Sequence, residues 1–468
     1  MNLFARKKSL VQDTSHKALN KTLSWPHLIA MGIGAIIGMG IFTLTGLGAG
    51  LAGPGVILSF ALAGIVCAFA ALAYAEVATL IPTSGSAYTY TYSVLGEVLA
   101  WIVGWSLILE YALGCSAVAV GWSAHVMGFL HGTLHFDLPL ALQAGLLDHG
   151  VVNLLAVVIV VAITGLLLLG TRESAVFNII LVAIKMIALG AFIYFAAPAI
   201  KSGNYHPFMP FGFWAHQVGE QKLGVMAAAA IMFFAFYGFD AVSTSAEETK
   251  NPARDLTIGI LGSMLVCTIL YMSIAACVVG VLPYQNVANS HGEPLPYILR
   301  LLGHPMVAAL VGGAAILALP SVILVFMYGQ SRILFVMARD GLIPKGLASV
   351  DGRGVPALMT IITGVFIAIF AGFVPLKQIT EMANAGTLLA FIAVSLAMII
   401  LRKTHPQLKR EFKTPFYYIV GPLAIIGCVF LFTSLTAFTM KAFLIWNLIG
   451  LVAYFSYGFW KSPLRKKA

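Results

Sequence analysis

The sequence predicts an all-α polytopic membrane protein, and three observations carry that prediction. Of 468 residues, 60% are hydrophobic and only 9% charged, with a mean hydropathy of +0.96. A soluble globule of that composition would expose large apolar areas. Apolar runs of about twenty residues, the length that spans a bilayer as helix, can be placed twelve times. Charged residues are almost absent from the middle of those runs, and one of the few present, Asp240, adjoins a glycine interruption.

The twelve segments fall at about 25–48, 54–80, 96–128, 151–169, 175–197, 222–246, 256–282, 306–337, 355–373, 379–401, 416–438 and 442–460. An even number puts both termini on one side, and Lys and Arg test this, because cytoplasmic loops collect them. The terminal side holds 21 of the 27 basic residues, the other side 5, and Lys185 lies within a segment. Both termini are therefore expected in the cytoplasm. The net charge of +10 reflects this bias and needs no nucleic acid partner; membrane lipid is the surrounding solvent.

Residues 1–24 are polar and basic without an apolar core, so no removable signal is read there. Cysteines 67, 115, 267, 277 and 428 lie in apolar segments without metal-ligand spacing. Neither a disulfide framework nor a zinc site is expected, and no cofactor motif is present. After Pro283, the stretch YQNVANSHGEPLPYILRLLG is open to two readings, a surface helix over an outer vestibule or an ordered loop.

The first segment holds GIGAIIGMGIFTLTG, Gly32 to Gly46. Glycines 32, 34, 38 and 40 lower the cost of leaving helical geometry. The stretch reads either as a helix that breaks in mid-bilayer or as a close-packing face built on the Gly34/Gly38 pair. A break would leave backbone groups that survive only in a protein-lined polar cavity. Its amides and positive dipole end suit a carboxylate, and its carbonyls suit an ammonium or cation.

A charge in mid-bilayer costs about 2.5 to 3.5 kcal/mol on insertion scales, so each one asks for a reason. Glu110 lies in the third segment, Lys185 in the fifth, Asp240 in the sixth and Glu76 towards the inner end of the second. Lys185 is open to three roles: an ion pair, with Glu110 as partner; a fixed charge; or a proton carrier, since an amine out of water gives up its proton more readily. Glu76 reads as a packing anchor. Around Asp240, FFAFYGFDAVSTSAEE sets Gly238 between aromatics and ahead of Ser243, Thr244 and Ser245, which predicts a second interruption. Breaks in the first and sixth segments are what an inverted five-plus-five repeat produces.

Four motifs, GIGAIIGMGIF, AYAEVATLIPTSGSAYTYTYSVLGEVLAWIVGWSLILEYALG, FYGFDAVSTSAEETKNPARDLTIGI and YGQSRILFVMARDGLIP, occur in order. Together they resemble the amino acid-polyamine-organocation superfamily, in particular its bacterial cationic amino acid transporter branch. The resemblance runs from about Trp25 to Arg402. It implies a LeuT-like core of two inverted five-helix repeats, about 25–197 and 222–402, with broken helices 1 and 6. A basic loop (403–415), two C-terminal helices (416–460) and a cytoplasmic tail (461–468) follow, in a bacterial cytoplasmic membrane.

The resemblance also implies a substrate site. The carboxylate of an amino acid would meet the amides of Met39 and Gly40 beside Gly38. Its ammonium would meet carbonyls of Ile36, Phe234, Ala235 and Tyr237. Lys185 matches a lysine that stands where sodium-coupled relatives hold a cation, and its partner would be the Gly34 carbonyl; protons are the implied co-substrate. Two departures are visible: Met39 replaces a threonine frequent in relatives, and Leu319 precedes Pro320 near the side-chain pocket. With Cys115 and Ala119 following Glu110, the pocket reads as apolar, which favours neutral amino acids. Glu110 keeps a basic side chain open as the alternative, and exchange remains the alternative to symport.

An intramembrane enzyme would need a nucleophile with a base, or metal ligands. The chain has no HExxH and no GxSxG, and its eleven histidines sit mostly near helix ends or in loops. A channel would need a polar stripe along a pore, whereas the polar groups here gather at the two breaks.

Overall fold

The computed structural model describes residues 6–8, 19–38, 40–130, 138–143, 145, 150–218, 221–288, 294–374, 376–433, 435 and 437–466. Met39 falls outside the described residues.

Helix α1 (Trp25–Ile36) begins with Pro26 in its first turn, where a missing N–H costs little, and stops at Ile37, whose backbone is extended. A π-helical turn, Gly40–Leu44, then leads into α2 (Thr45–Ala52). The first apolar segment is thus two helices with an interruption between them. Gly53-Pro54-Gly55 turns the chain into α3 (Val56–Leu80). A short buried helix absent from the sequence reading, α4 (Ser86–Val94), precedes α5 (Glu97–Phe129). Helices α6 (Leu154–Leu169) and α7 (Thr171–Ala196) meet at Gly170, whose φ of +146° only glycine adopts readily.

The segment before the sixth apolar run contains a small antiparallel hairpin, β1 (His216–Val218) with β2 (Gln221–Leu223), where only a loop was expected. Helix α8 (Val225–Met232) passes into a 3-10 turn at Phe233–Phe236, breaks at Tyr237–Gly238 and resumes as a ten-residue 3-10 helix, Phe239–Glu248. Ser243, Thr244 and Ser245 each donate to the carbonyl three residues back, which favours that tighter winding. Then come α9 (Pro252–Val281), short α10 (Tyr284–Ala288) and α11 (Pro294–Leu301), α12 (Pro305–Arg339), α13 (Ala357–Phe373), α14 (Leu376–Thr404), α15 (Tyr417–Thr433) and α16 (Ala437–Ala453).

Among the described residues eight helical stretches are long and apolar enough to cross a membrane, and four apolar helices are shorter: α1, α6, α13 and α15. The chain is a multi-pass helical membrane protein. Inside the bundle α1 packs along α9, α8 along α3, α7 along α12, and α5 along both α12 and α14. Helix α16 is fastened to α5 by indoles: Trp105 and Trp446 donate to each other's carbonyls at 2.9 Å, and Trp101 donates to Gly450 at 2.7 Å.

Buried carboxylates tie distant segments together at one end of the bundle. Glu97 accepts from Tyr92, Tyr454 and Ser462 and lies 3.5 Å from Arg6, so residues near both chain ends share one carboxylate. Glu76 is more than a packing anchor: it pairs with Arg402 at 2.6 Å and Arg410 at 3.1 Å and accepts the Thr414 amide.

Candidate functional site

The two interruptions lie against each other. A β-carbon on Gly40 would fall 2.5 Å from Ala235 Cβ, and one on Gly238 only 2.8 Å from Ala35 Cβ. Gly238 also has φ of +111°, a left-handed conformation that costs other residues about 1 to 2 kcal/mol. Glycine therefore permits both the turn and the contact. Gly38 faces Val322 of α12, its virtual β-carbon 3.0 Å from Cγ2.

The carbonyls at the breaks converge. The Tyr271 hydroxyl of α9 lies 2.7 Å from the Ile36 carbonyl and 3.0 Å from that of Ala235. Oxygens from two helix ends thus surround one donor. The Phe234 carbonyl accepts the Tyr237 amide within the 3-10 turn. The Tyr237 ring stacks on Phe234 and meets Phe326 edge-on at 4.9 Å, while its hydroxyl donates to the Glu110 carbonyl. Cys115 donates to the Ile323 carbonyl, so α5 and α12 wall this region with apolar and aromatic groups. Leu319 is buried on α12, two residues before Ser321.

The Lys185 ammonium is fully buried. It donates to the Ile37 carbonyl at 2.6 Å, the Gly34 carbonyl at 3.2 Å and the Ser321 hydroxyl at 2.7 Å. The ion pair with Glu110 that the sequence left open is not formed. An exposed helix end supplies several carbonyls at one point, and these replace a carboxylate as the ammonium's partners. Among the described residues neither Glu110 carboxylate oxygen has a hydrogen-bond partner. Its polar neighbours Thr387 and Tyr237 donate to the backbone carbonyls of Ala383 and Glu110. Asp240, two residues beyond Gly238, accepts the Tyr111 hydroxyl at 2.6 Å.

Past the breaks, at the end where Glu97 lies, ion pairs close the bundle. Arg332 holds Glu248 at 2.9 Å and stacks over the Tyr328 ring; Arg339 holds Glu247 at 2.6 Å; Lys8 holds Asp340 at 2.6 Å. Tyr328 also donates to Glu248.

The structure brings Ile36, Gly38, Gly40, Phe234, Ala235, Tyr237 and Gly238 to one place, with Lys185 and Gly34 next to it and Asp240 and Glu110 on the α5 side. Sequence reading missed Tyr271 and Ser321. Ser321 follows the flagged Pro320 and could have been found; Tyr271 is one tyrosine in an apolar run and carries no local signal.

The described residues thus form a helical membrane bundle with two touching helix interruptions and a buried lysine capping one of them. The family model for amino acid permeases matches residues 23–456, and the chain belongs to that family. It is 47% identical over 464 residues to the branched-chain amino acid permease BcaP of Bacillus subtilis (strain 168), covering 97% of each chain. It is 40% identical to the methylthioribose transporter of the same organism, over 99% of this chain and 100% of that one. Identity to the mitochondrial cationic amino acid transporter 3 of Arabidopsis thaliana is 39%, over 84% of this chain and 64% of the relative.

Proposed function

We propose that the chain is a proton-coupled amino acid symporter that works by alternating access in a cytoplasmic membrane and prefers neutral, branched aliphatic substrates. The observation that carries the reading is the Lys185 ammonium held by the carbonyls of Gly34 and Ile37 at the end of α1. Protonated, the amine fixes that helix end next to the substrate site. Loss of the proton removes the charge from those carbonyl contacts and loosens α1, so protonation biases one access state over the other. In this reading the Ile36 and Ala235 carbonyls take the substrate ammonium, as their convergence on Tyr271 supports. The backbone amides of Met39 and Gly40 take the carboxylate. Phe326, Cys115, Val322 and Leu319 favour an apolar side chain, as the name of the 47% identical relative also suggests.

The twelve-span topology with two inverted five-helix repeats belongs to the same proposal. It divides the chain into a cytoplasmic segment (1–24), a core (25–402), a basic loop (403–415), two further helices (416–460) and a cytoplasmic tail (461–468). The packing supports it: α1 against α9 is mirrored by α8 against α3, and α7 against α12 by α14 against α5. Such reciprocity is expected when spans one and six, two and seven, three and eight, and five and ten exchange roles. The meeting of Arg6 and Ser462 at Glu97 supports termini on one side. The pairs Arg332–Glu248 and Arg339–Glu247 would then form the inner gate.

The test is uptake of labelled leucine by purified protein in liposomes. An outside-acid pH gradient is expected to drive accumulation at least ten-fold above equilibrium; uptake that ignores the gradient rejects coupling and favours exchange. The Glu110 carboxylate, which has no cation partner among the described residues, favours one second reading, a basic amino acid as substrate. Arginine and methylthioribose belong in the same competition assay.

A further inference from the structure

A narrow cleft opens between α1, α7 and α12, with His27 and Met31 on the first, Ser174 and Asn178 on the second, and Leu324 and Tyr328 on the third. Its water-accessible space, 10 Å³, is about enough for one water molecule. The Lys185 contacts lie on the same three helices, at Gly34, Lys185 and Ser321. The numbers run 27, 31, 34 on α1; 174, 178, 185 on α7; and 328, 324, 321 on α12. Steps of three, four or seven keep one face of a helix, so the cleft and the lysine cage are two levels of one seam. Asn178 lies two turns, about 10 Å, from Lys185.

Asn178 is the polar group between the levels. It is 2% exposed, and its amide donates to the Ala30 carbonyl at 3.0 Å. Its oxygen has no partner among the described residues and points at Gly34, 2.6 Å from where a β-carbon there would sit. Gly34 is the residue whose carbonyl holds Lys185. A buried acceptor without a donor costs about 1 to 3 kcal/mol, and a water donating from the cleft would satisfy it.

We propose that this cleft is the route by which Lys185 exchanges its proton with the cytoplasmic side, and that Asn178 is the positioning residue at its deep end. The inference rests on the proton-coupled reading above. In the release step the ammonium turns one N–H from the Gly34 carbonyl, its longest contact at 3.2 Å, to an entering water; that N–H bond breaks, the electron pair stays on nitrogen, and the proton is relayed through water to the one oriented by the Asn178 oxygen. Onward transfer through water leads to His27 at the mouth, whose ring is paired with Ser24 at 2.9 Å. The other titratable groups facing this path are Cys267 of α9 beside Lys185, Lys250 beside His27, and Tyr328, whose hydroxyl is engaged with Glu248 in the Arg332 pair. None of these lies on the seam between Asn178 and Lys185.

The experiment compares wild type, Asn178→Leu and Asn178→Ser as full chains in liposomes, in two leucine assays. Accumulation driven by an outside-acid gradient requires net proton release inside, whereas exchange at equal internal and external leucine and equal pH does not. Asn178→Leu is expected to lose at least ten-fold in accumulation with exchange within two-fold of wild type. Asn178→Ser, which keeps a polar group and leaves room for water, is expected to recover at least half the accumulation. Undiminished accumulation in Asn178→Leu, or equal losses of both activities in either variant, overturns the route while leaving the wild-type coupling intact. A wild type that ignores the pH gradient removes the coupled reading, and the route with it.

Discussion

The Tyr271 hydroxyl sits 2.7 Å from the Ile36 carbonyl and 3.0 Å from the Ala235 carbonyl, so one side chain of α9 bridges the broken ends of two other helices. One hydroxyl proton serves two acceptors, which leaves lone-pair capacity for a ligand ammonium at the same point. Tyr271→Phe removes the bridge without changing ring packing against Phe60 and Phe236. Leucine affinity, measured by thermal stabilisation of the detergent-purified protein, is expected to fall about five- to tenfold, a loss of about 1 to 1.4 kcal/mol. Affinity unchanged within two-fold would mean that the bridge does not set the spacing of the carbonyls.

Lys185→Ala removes the ammonium from Gly34, Ile37 and Ser321. Gradient-driven leucine accumulation is expected to vanish while leucine binding remains measurable. Accumulation at the wild-type level would exclude Lys185 from the coupling.

Gly38→Leu drives a side chain into Val322, whose Cγ2 already lies at the contact limit. It is expected to abolish stabilisation by leucine in a protein that still folds. Retained stabilisation would return this glycine to the close-packing role that the sequence left open.

Arg332→Ala strands Glu248 in a buried site, and breaking one side of a buried pair costs about 3 to 5 kcal/mol. A marked drop in melting temperature is expected, larger than for Lys8→Ala, whose pair with Asp340 is partly exposed. Equal drops would mean that Arg332 is not held as the geometry indicates.

Glu110→Gln separates the substrate readings. With neutral substrates the expected leucine affinity stays within about three-fold, because no charge on the ligand needs the carboxylate. Arginine stabilisation in wild type that disappears in the variant would favour the basic class instead.

Much of the architecture was legible because membrane burial leaves coarse marks. Apolar runs located the helical segments, and Gly32 to Gly40 and Gly238 marked both interruptions. A bilayer leaves few sequence patterns besides length and glycine that can encode a break. The short helix Ser86–Val94 was not legible, since its alternating Tyr and Thr residues have no apolar period and are buried by packing on neighbours. Neither was the pairing of His216–Val218 with Gln221–Leu223, because three-residue strands are too short to show an alternating pattern.

The sequence by itself determined that the chain is a multi-pass membrane protein, where its helices yield, and which few charges need partners, because hydrophobic length and backbone freedom are local properties. Only the tertiary structure decided what those charges meet. Lys185 could have paired with Glu110, and the sequence offered no way to choose, since the choice depends on which helix faces which. Packing of α7 against α1 and α12 placed the amine on the carbonyls at the end of α1. The same packing left Glu110 without a cation among the described residues and brought Tyr271 onto both breaks.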